Sequence, residues 1–184
     1  MAFDTFTVLV GVYPDLESAE SDYDLVKELH SKEQLMDGYD AAVIHRRPDG
    51  KVKITRKHET PTRVGGVLGG GAGLATGLVV ALFPFAAVGS GLLAATSAGG
   101  AILGAVAGHA AAGMSRNDLK ELGESLDEGE AGLIVVGVTD MEARIEDAMR
   151  RSEKLQKKQL KADAKTLERD ATEASGRSSG REEV

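Results

Sequence analysis

The histidines are the first candidates for chemistry in this 184-residue chain, because imidazole can act as a base near neutral pH and can bind metal ions. The chain has four of them, His30, His45, His58 and His109. They are scattered along the sequence without a metal-ligand or base-nucleophile spacing. Cysteine is absent, which excludes thiolate nucleophiles and disulfides. We therefore predict no catalytic residue, no metal site and no enzyme activity.

Two glycine-rich stretches resemble nucleotide-binding loops only in part. Gly89-Ser90-Gly91 with Ala94 fits the form G-x-G-x-x-A, but no acidic residue follows at about twenty positions, where the ribose would need one. The run from Gly69 to Gly73 lacks the lysine and hydroxyl pair of a phosphate-binding loop. Neither stretch predicts a nucleotide, and we expect no cofactor.

The most informative stretch is residues 64–108, which contain no Asp, Glu, Lys or Arg. Glycine recurs there every four residues, at Gly65, Gly69, Gly73 and Gly77 and again at Gly100, Gly104 and Gly108. Four-residue spacing puts these positions on one face of a helix, where two backbones can approach closely. Pro84 divides the stretch. We predict two helices, 64–83 and 85–112, that pack on each other through these glycine rows, an arrangement called a glycine zipper.

Each predicted helix has at least the roughly 20 residues needed to cross about 30 Å of hydrocarbon. A hairpin returns to its starting side, and the flanking Arg63 and Arg116 favour the cytoplasm for that side. We therefore predict a hairpin in the cytoplasmic membrane, with both termini in the cytoplasm. Glycine and alanine contribute little to insertion, however, so burial of the hairpin between subunits of a soluble oligomer is the alternative. Either way we expect a homo-oligomer.

The sequence on either side of the hairpin predicts an α+β domain. Alternation predicts a strand over 5–12, and Asp15 is a candidate N-cap for a helix that runs to about residue 35. Strands at 39–46 and 51–58 enclose the turn sequence Pro48-Asp49-Gly50. The order of elements matches a ferredoxin-like, split βαβ plan.

After the hairpin, Ser115 and Asp118 have the spacing of a capping box and predict a helix. Residues 131–138 form a nearly continuous apolar run, which predicts a strand covered on both faces. Asp140 opens another helix, which we expect to continue into the charged residues 150–165. The composition from Ala171 onward cannot support a core and predicts disorder.

These elements divide the chain into four parts. They are 1–62, the first half of the α+β domain; 63–114, the glycine-zipper hairpin; 115–150, the second half of the domain; and 151–184, a charged helix and disordered tail. The seven basic residues of 150–165 could meet anionic lipid, but intervening acidic residues favour a solvated helix.

Two segments carry a family resemblance: HETPTRVGGVLGGGAGLATGLV from His58, and RNDLKELGESLDEGEAGLIVVGV from Arg116. They resemble a bacterial family catalogued as domain of unknown function twelve-sixty-nine, many members of which are labelled uncharacterised membrane proteins. The resemblance spans about residues 6–149 and leaves the charged C-terminal tail outside. The sequence is also similar to general-stress proteins. The resemblance implies the fold, membrane association and a stress-related role, but it transfers no catalytic residue.

The sequence thus predicts a non-enzymatic membrane protein that self-associates through its hairpin and presents a cytoplasmic interaction or regulatory domain. Membrane lipid and further copies of the chain are the expected partners, and no protein partner can be named. The net charge of −7 disfavours nucleic acid. The alternatives are an oligomeric pore or transport element and a soluble regulatory assembly that binds a small ligand.

Overall fold

The computed structural model describes residues 4–32, 39–58, 74–83, 87–88, 91–92, 108, 112–138 and 142–162. These residues contain seven strands and four helices. The strands are β1 (Asp4–Tyr13), β2 (Tyr39–Arg46), β3 (Val52–His58), β4 (Ala87–Val88), β5 (Gly91–Leu92), β6 (Ala131–Val138) and β7 (Lys154–Ala162). The helices are α1 (Leu16–Lys32), α2 (Leu74–Leu82), α3 (Arg116–Glu128) and α4 (Glu142–Ala148).

The strands form one sheet in the order β5-β4-β3-β2-β6-β1-β7. The five long strands are antiparallel to their neighbours: β6 pairs with β1 and β2, β1 also pairs with β7, and β2 also pairs with β3. The two-residue strand β4 joins the outer side of β3 in parallel and pairs with β5. The protein is therefore an α+β protein built on a five-stranded antiparallel sheet with a small extension at one edge.

Helices cover both faces of this sheet. Alternate residues of β1 belong to two cores: Val8 and Val10 pack in the core beneath α2 and α3, whereas Leu9 and Tyr13 pack in the core beneath α1 and α4. Strand β6 divides in the same way, as its apolar run predicted. Each long central strand therefore needs apolar side chains on both faces.

Most of the predicted elements outside the hairpin are confirmed within a few residues. The predicted Asp15 cap is present, since the Ser18 amide donates to Asp15 Oδ1 over 2.7 Å. Ser115 caps α3: its hydroxyl oxygen accepts from the Asp118 amide at 3.0 Å and its hydroxyl donates to the Asp118 carboxylate at 2.7 Å. These caps are local, so the sequence contains all the information they need.

The prediction of a charged C-terminal helix was wrong, because Lys154–Ala162 is strand β7. Its side chains alternate between the two faces of the sheet: Lys157 pairs with Glu142 and Glu146 of α4, and Lys158 pairs with Asp118 and Glu121 of α3. Leu160 is fully buried. This period of two fits the open edge of β1 and supplies partners that a solvated helix would not give. The predicted disordered tail lies outside the described residues.

The predicted helical hairpin also needs correction where it is described. Residues 74–82 of the first predicted helix do form α2, but Ala87–Val88 and Gly91–Leu92 of the second are short strands. In α2, Leu74, Leu78 and Val79 are buried in the core of the domain. Covering the sheet gives these side chains an apolar environment within the chain itself. None of the described helices combines the length and apolar character needed to span a bilayer.

A close backbone approach fixes the start of α3 against strand β7. The Lys161 amide donates to the Gly113 carbonyl over 3.0 Å, so this segment partly covers the outer edge of β7. A Cβ atom at position 113 would overlap the Lys161 carbonyl oxygen and lie 2.8 Å from Leu160 Cδ1. Glycine is required there by lack of space.

We predict that Gly113→Ala lowers the free energy of unfolding by about 1–3 kcal/mol, because the backbone of β7 must move away. Gly123→Ala is the matched control: its Cβ would lie 3.9 Å from the nearest atom, Leu82 Cδ2, and alanine gains up to about 1 kcal/mol in a helix interior. Urea unfolding of both variants measures the difference. Equal stability of the two variants would contradict the close packing at Gly113.

Candidate functional site

Two of the seven glycines predicted to form the zipper lie in the described residues. Gly77 is buried within α2, and Gly108 is exposed, with none of the other described residues within 4 Å of the position of a Cβ. The other five lie outside the described residues; they are Gly65, Gly69, Gly73, Gly100 and Gly104. Packing of helix on helix through these rows therefore stays a prediction.

A buried carboxylate holds the start of α2, the helix formed by residues 74–82 of the glycine-rich stretch. Asp40 of β2 is 5% exposed, and its Oδ2 accepts from the Leu74 amide, the first of α2, over 2.5 Å. A carboxylate is favourable at the N-terminus of a helix, where amides lack partners within the helix and the dipole is positive. Asp40 thus ties the start of α2 to the second strand.

Three rings stack at the same end of β2. The Tyr39 ring lies 3.7 Å from the His30 ring and 4.4 Å from the His58 ring, measured between centroids, with interplanar angles of 22° and 15°. His30 is 1% exposed, and its Nδ1 donates to the Val26 carbonyl over 2.8 Å if the proton is on that nitrogen. The structure thus brings together two histidines that the sequence analysis treated as unrelated.

Burial controls the ionisation of this stack. Loss of solvent lowers the pKa of His30 below its ordinary value; the hydrogen bond to Val26 opposes this effect, and the nearby His58 adds to it. Burial also raises the pKa of the Tyr39 hydroxyl, with a smaller contribution from Tyr23. Within the described ranges, no three His, Asp or Glu side chains lie close enough together to hold a metal ion.

A second buried carboxylate, Asp22, lies in the middle of α1. It is fully buried and accepts three hydrogen bonds: from the Tyr13 hydroxyl at 3.2 Å, from the Arg151 amide at 2.8 Å and from Arg151 Nη1 at 2.7 Å. Burial, followed by the charge of Asp22, raises the pKa of Tyr13 above its ordinary range. Asp22 therefore joins α1 to the end of β1 and to the turn after α4.

A groove lies beside this network. It has a volume of about 670 Å³ and lies between the second half of α1 and the end of α4, and we call it the α1–α4 groove. Its lining consists of Leu25, Glu28, Leu29, Lys32, Arg144, Asp147, Ala148, Arg150 and Arg151. These side chains can bind an anion and an apolar group. They include no hydroxyl, thiol or imidazole that could attack a substrate.

Residues 66–171 match the family described as Protein of unknown function (DUF1269). They make up more than half of the chain. The chain belongs to this family. The match confirms the resemblance seen in the sequence, but it continues through β7, so the charged segment is not outside the shared region. No curated protein and no solved structure matches the chain.

The Asp22 network gives a stability prediction. Asp22→Ala leaves the Tyr13 hydroxyl and two Arg151 donors without their acceptor, so we expect the free energy of unfolding to fall by about 3 kcal/mol. Asp24→Ala, two residues away, removes an exposed ion pair with Arg56 and is expected to cost less than about 1 kcal/mol. Chemical denaturation measures the free energy of unfolding of both variants. Similar losses in the two variants would rule out the structural role of Asp22.

The His30 environment gives a pH prediction. Because the folded chain lowers the pKa of His30, the unfolded chain binds a proton there first as the pH falls below about 6.5. The free energy of unfolding should therefore decrease with falling pH until the pH passes the lowered pKa.

Urea titrations at about pH 7.5 and about pH 5 measure this loss. The variant His30→Phe keeps an aromatic ring but cannot titrate, so its loss should be smaller than that of the wild-type protein. Comparing the two removes the contributions of the other histidines and the carboxylates. An unchanged loss in His30→Phe would show that this imidazole does not contribute.

Proposed function

We propose that this protein is a non-enzymatic, self-associating protein of the cytoplasmic membrane. In this proposal the glycine-rich stretch is the assembly element, and the α+β unit lies in the cytoplasm as an interaction or regulatory domain. The observation that carries the proposal is the uncharged run of residues 64–108 with glycine at every fourth position in two rows. Such rows allow close contact between helices, and a partner must compensate for the low helix propensity of glycine.

The contacts between α2 and the sheet support a coupling between self-association of the glycine-rich stretch and the structure of the α+β domain. Asp40 binds the start of α2, and Leu78 and Val79 pack in the sheet core. Helix α2 is therefore anchored to the sheet, and the described positions on either side of residues 59–73, His58 and Leu74, both belong to the domain. We propose that association of the remaining glycine-rich residues is transmitted to the domain through this anchor.

We further propose that the domain contains a ferredoxin-like unit made of β1, α1, β2, β6, α4 and β7. Two observations support this assignment. These elements follow each other as βαββαβ, with strands in the order β7-β1-β6-β2, and α1 and α4 contact each other on one face. Strand β3, α2 and α3 then lie between the second and third strands of the unit in sequence. This differs from the sequence-based assignment, which counted residues 51–58 as the third strand of the split βαβ plan and placed the insertion after it.

Fractionation of the full-length protein tests the location. We expect the protein to stay with membranes in alkaline carbonate and to need detergent for extraction. Recovery as a large water-soluble assembly would refute the membrane location but support self-association. Recovery as a water-soluble monomer would refute both. The intact chain is the proper sample, because removal of the whole stretch would also remove α2 from the core.

The role of the glycine rows is tested by substitution. We expect Gly69→Leu and Gly104→Leu to weaken the oligomer, because a large side chain keeps the backbones apart, while membrane retention is unchanged or increased. Ala105→Leu adds a similar side chain next to the row and should leave the oligomer intact. Cross-linking and detergent gel filtration measure the oligomer. Intact oligomers in both glycine variants would exclude the zipper as the assembly element.

A further inference from the structure

We propose that the α1–α4 groove binds a free, single-chain amphiphile with a carboxylate head, a ligand of the fatty-acid class. The hydrocarbon chain would lie along the leucines of α1, and the carboxylate would meet the consecutive arginines that follow α4. This inference goes beyond self-association and is independent of where the protein is located. It rests on the apolar floor, the basic rim and the fixed position of one arginine.

The floor of the groove is apolar and open to solvent. Leu25 and Leu29 lie one helical turn apart on α1, and Ala148 faces them from α4. Leu29 and Ala148 are partly buried on the core beneath them, whereas Leu25 is 39% exposed. A single exposed leucine is ordinary on a protein surface. Here the exposed leucine adjoins other apolar groups inside a concavity of the size used for small ligands.

The rim of the groove is basic in an acidic protein. Four cationic side chains line it, Lys32, Arg144, Arg150 and Arg151, against the two carboxylates of Glu28 and Asp147. These six side chains have a formal charge of +2, four minus two, and the buried Asp22 bonded to Arg151 reduces the local sum to +1, whereas the whole chain has −7. A local excess of positive charge attracts an anion to this place despite the overall charge.

The arginine pair is held in position by the rest of the structure. Arg151 is fixed by the buried Asp22, which accepts from both its amide and its Nη1. Arg150 donates its Nε to the Asp147 carbonyl over 2.5 Å, which orients its guanidinium group. A planar guanidinium group can bind both oxygens of a carboxylate. Because the arginines are already ordered, less conformational entropy is lost on binding.

The weak net charge of the groove favours a singly charged head, because Glu28, Asp147 and the nearby Asp22 offset three of its four cationic side chains. The attraction of the groove for an anion grows in proportion to the charge of the head, whereas the cost of removing the head from water grows with the square of that charge. The described side chains of the lining also include no aromatic ring on which a nucleobase could stack. A singly charged head on an aliphatic chain therefore fits these side chains better than a nucleotide or a phosphorylated sugar.

Isothermal titration calorimetry of the full-length protein with monomeric decanoate tests the proposal. We expect saturable binding of one decanoate, and binding at least about tenfold weaker for 1-decanol, which lacks the charge, and for decyl phosphate. Absence of saturable decanoate binding would overturn the proposal. Equal affinity for 1-decanol would overturn the role of the arginines, and tighter binding of decyl phosphate would overturn the choice of a carboxylate.

Two exposed substitutions locate the site. Leu25→Ser should weaken decanoate binding by about tenfold through loss of apolar contact, and Arg150→Glu by about tenfold or more through charge reversal. Leu155→Ser is the matched control, because Leu155 is similarly exposed at 37% but does not line the groove. Its affinity should equal that of the wild type. Circular dichroism checks that all three variants are folded. Wild-type affinity in Leu25→Ser would place the ligand elsewhere and reject the proposal.

Discussion

The rest of the structure depends on the pairing of β6 with β1 and β2 in a sheet that is covered on both faces. Val135 of β6 lies between Leu9 and Ala41, and Val136 lies between Val8 and Asp40. A one-residue shift would exchange the two faces of β6 and place its side chains against the wrong helices. The register of these strands therefore decides which residues reach the α1–α4 side and which reach the α2–α3 side.

Elements whose signals are local could be predicted from the sequence. The apolar run of β6, the alternation in β1 and the Ser115 cap each lie within a few neighbouring residues. Strand β7 could not be predicted in this way, because only Leu160 among its described side chains is fully buried. Lysine-rich segments also favour solvated helices, and the decision for a strand comes from distant partners: the edge of β1 and acids of α3 and α4.

The contacts within the candidate sites were even harder to predict from the sequence, because their partners are far apart along the chain. Asp22 and Arg151 are 129 residues apart in the sequence, and nothing in the residues around either position indicates the other. His30 and His58 come together only because α1 ends beside the start of β2, where β3 also ends. The sequence did contain one usable signal, an aspartate within the largely apolar stripe of α1, since a buried carboxylate requires a partner.

The first two residues of β2 connect both sides of the sheet to the glycine-rich stretch. Tyr39 contacts His30 of α1 on one side, and Asp40 binds the start of α2 on the other. His58 is paired with Ala41, and the Leu74 amide is bonded to Asp40. The described positions on either side of residues 59–73 thus lie beside neighbouring residues of one strand. Leu29 of the α1–α4 groove precedes His30 on the same helix, so α1 joins the groove to Tyr39, the direct neighbour of the anchoring residue Asp40.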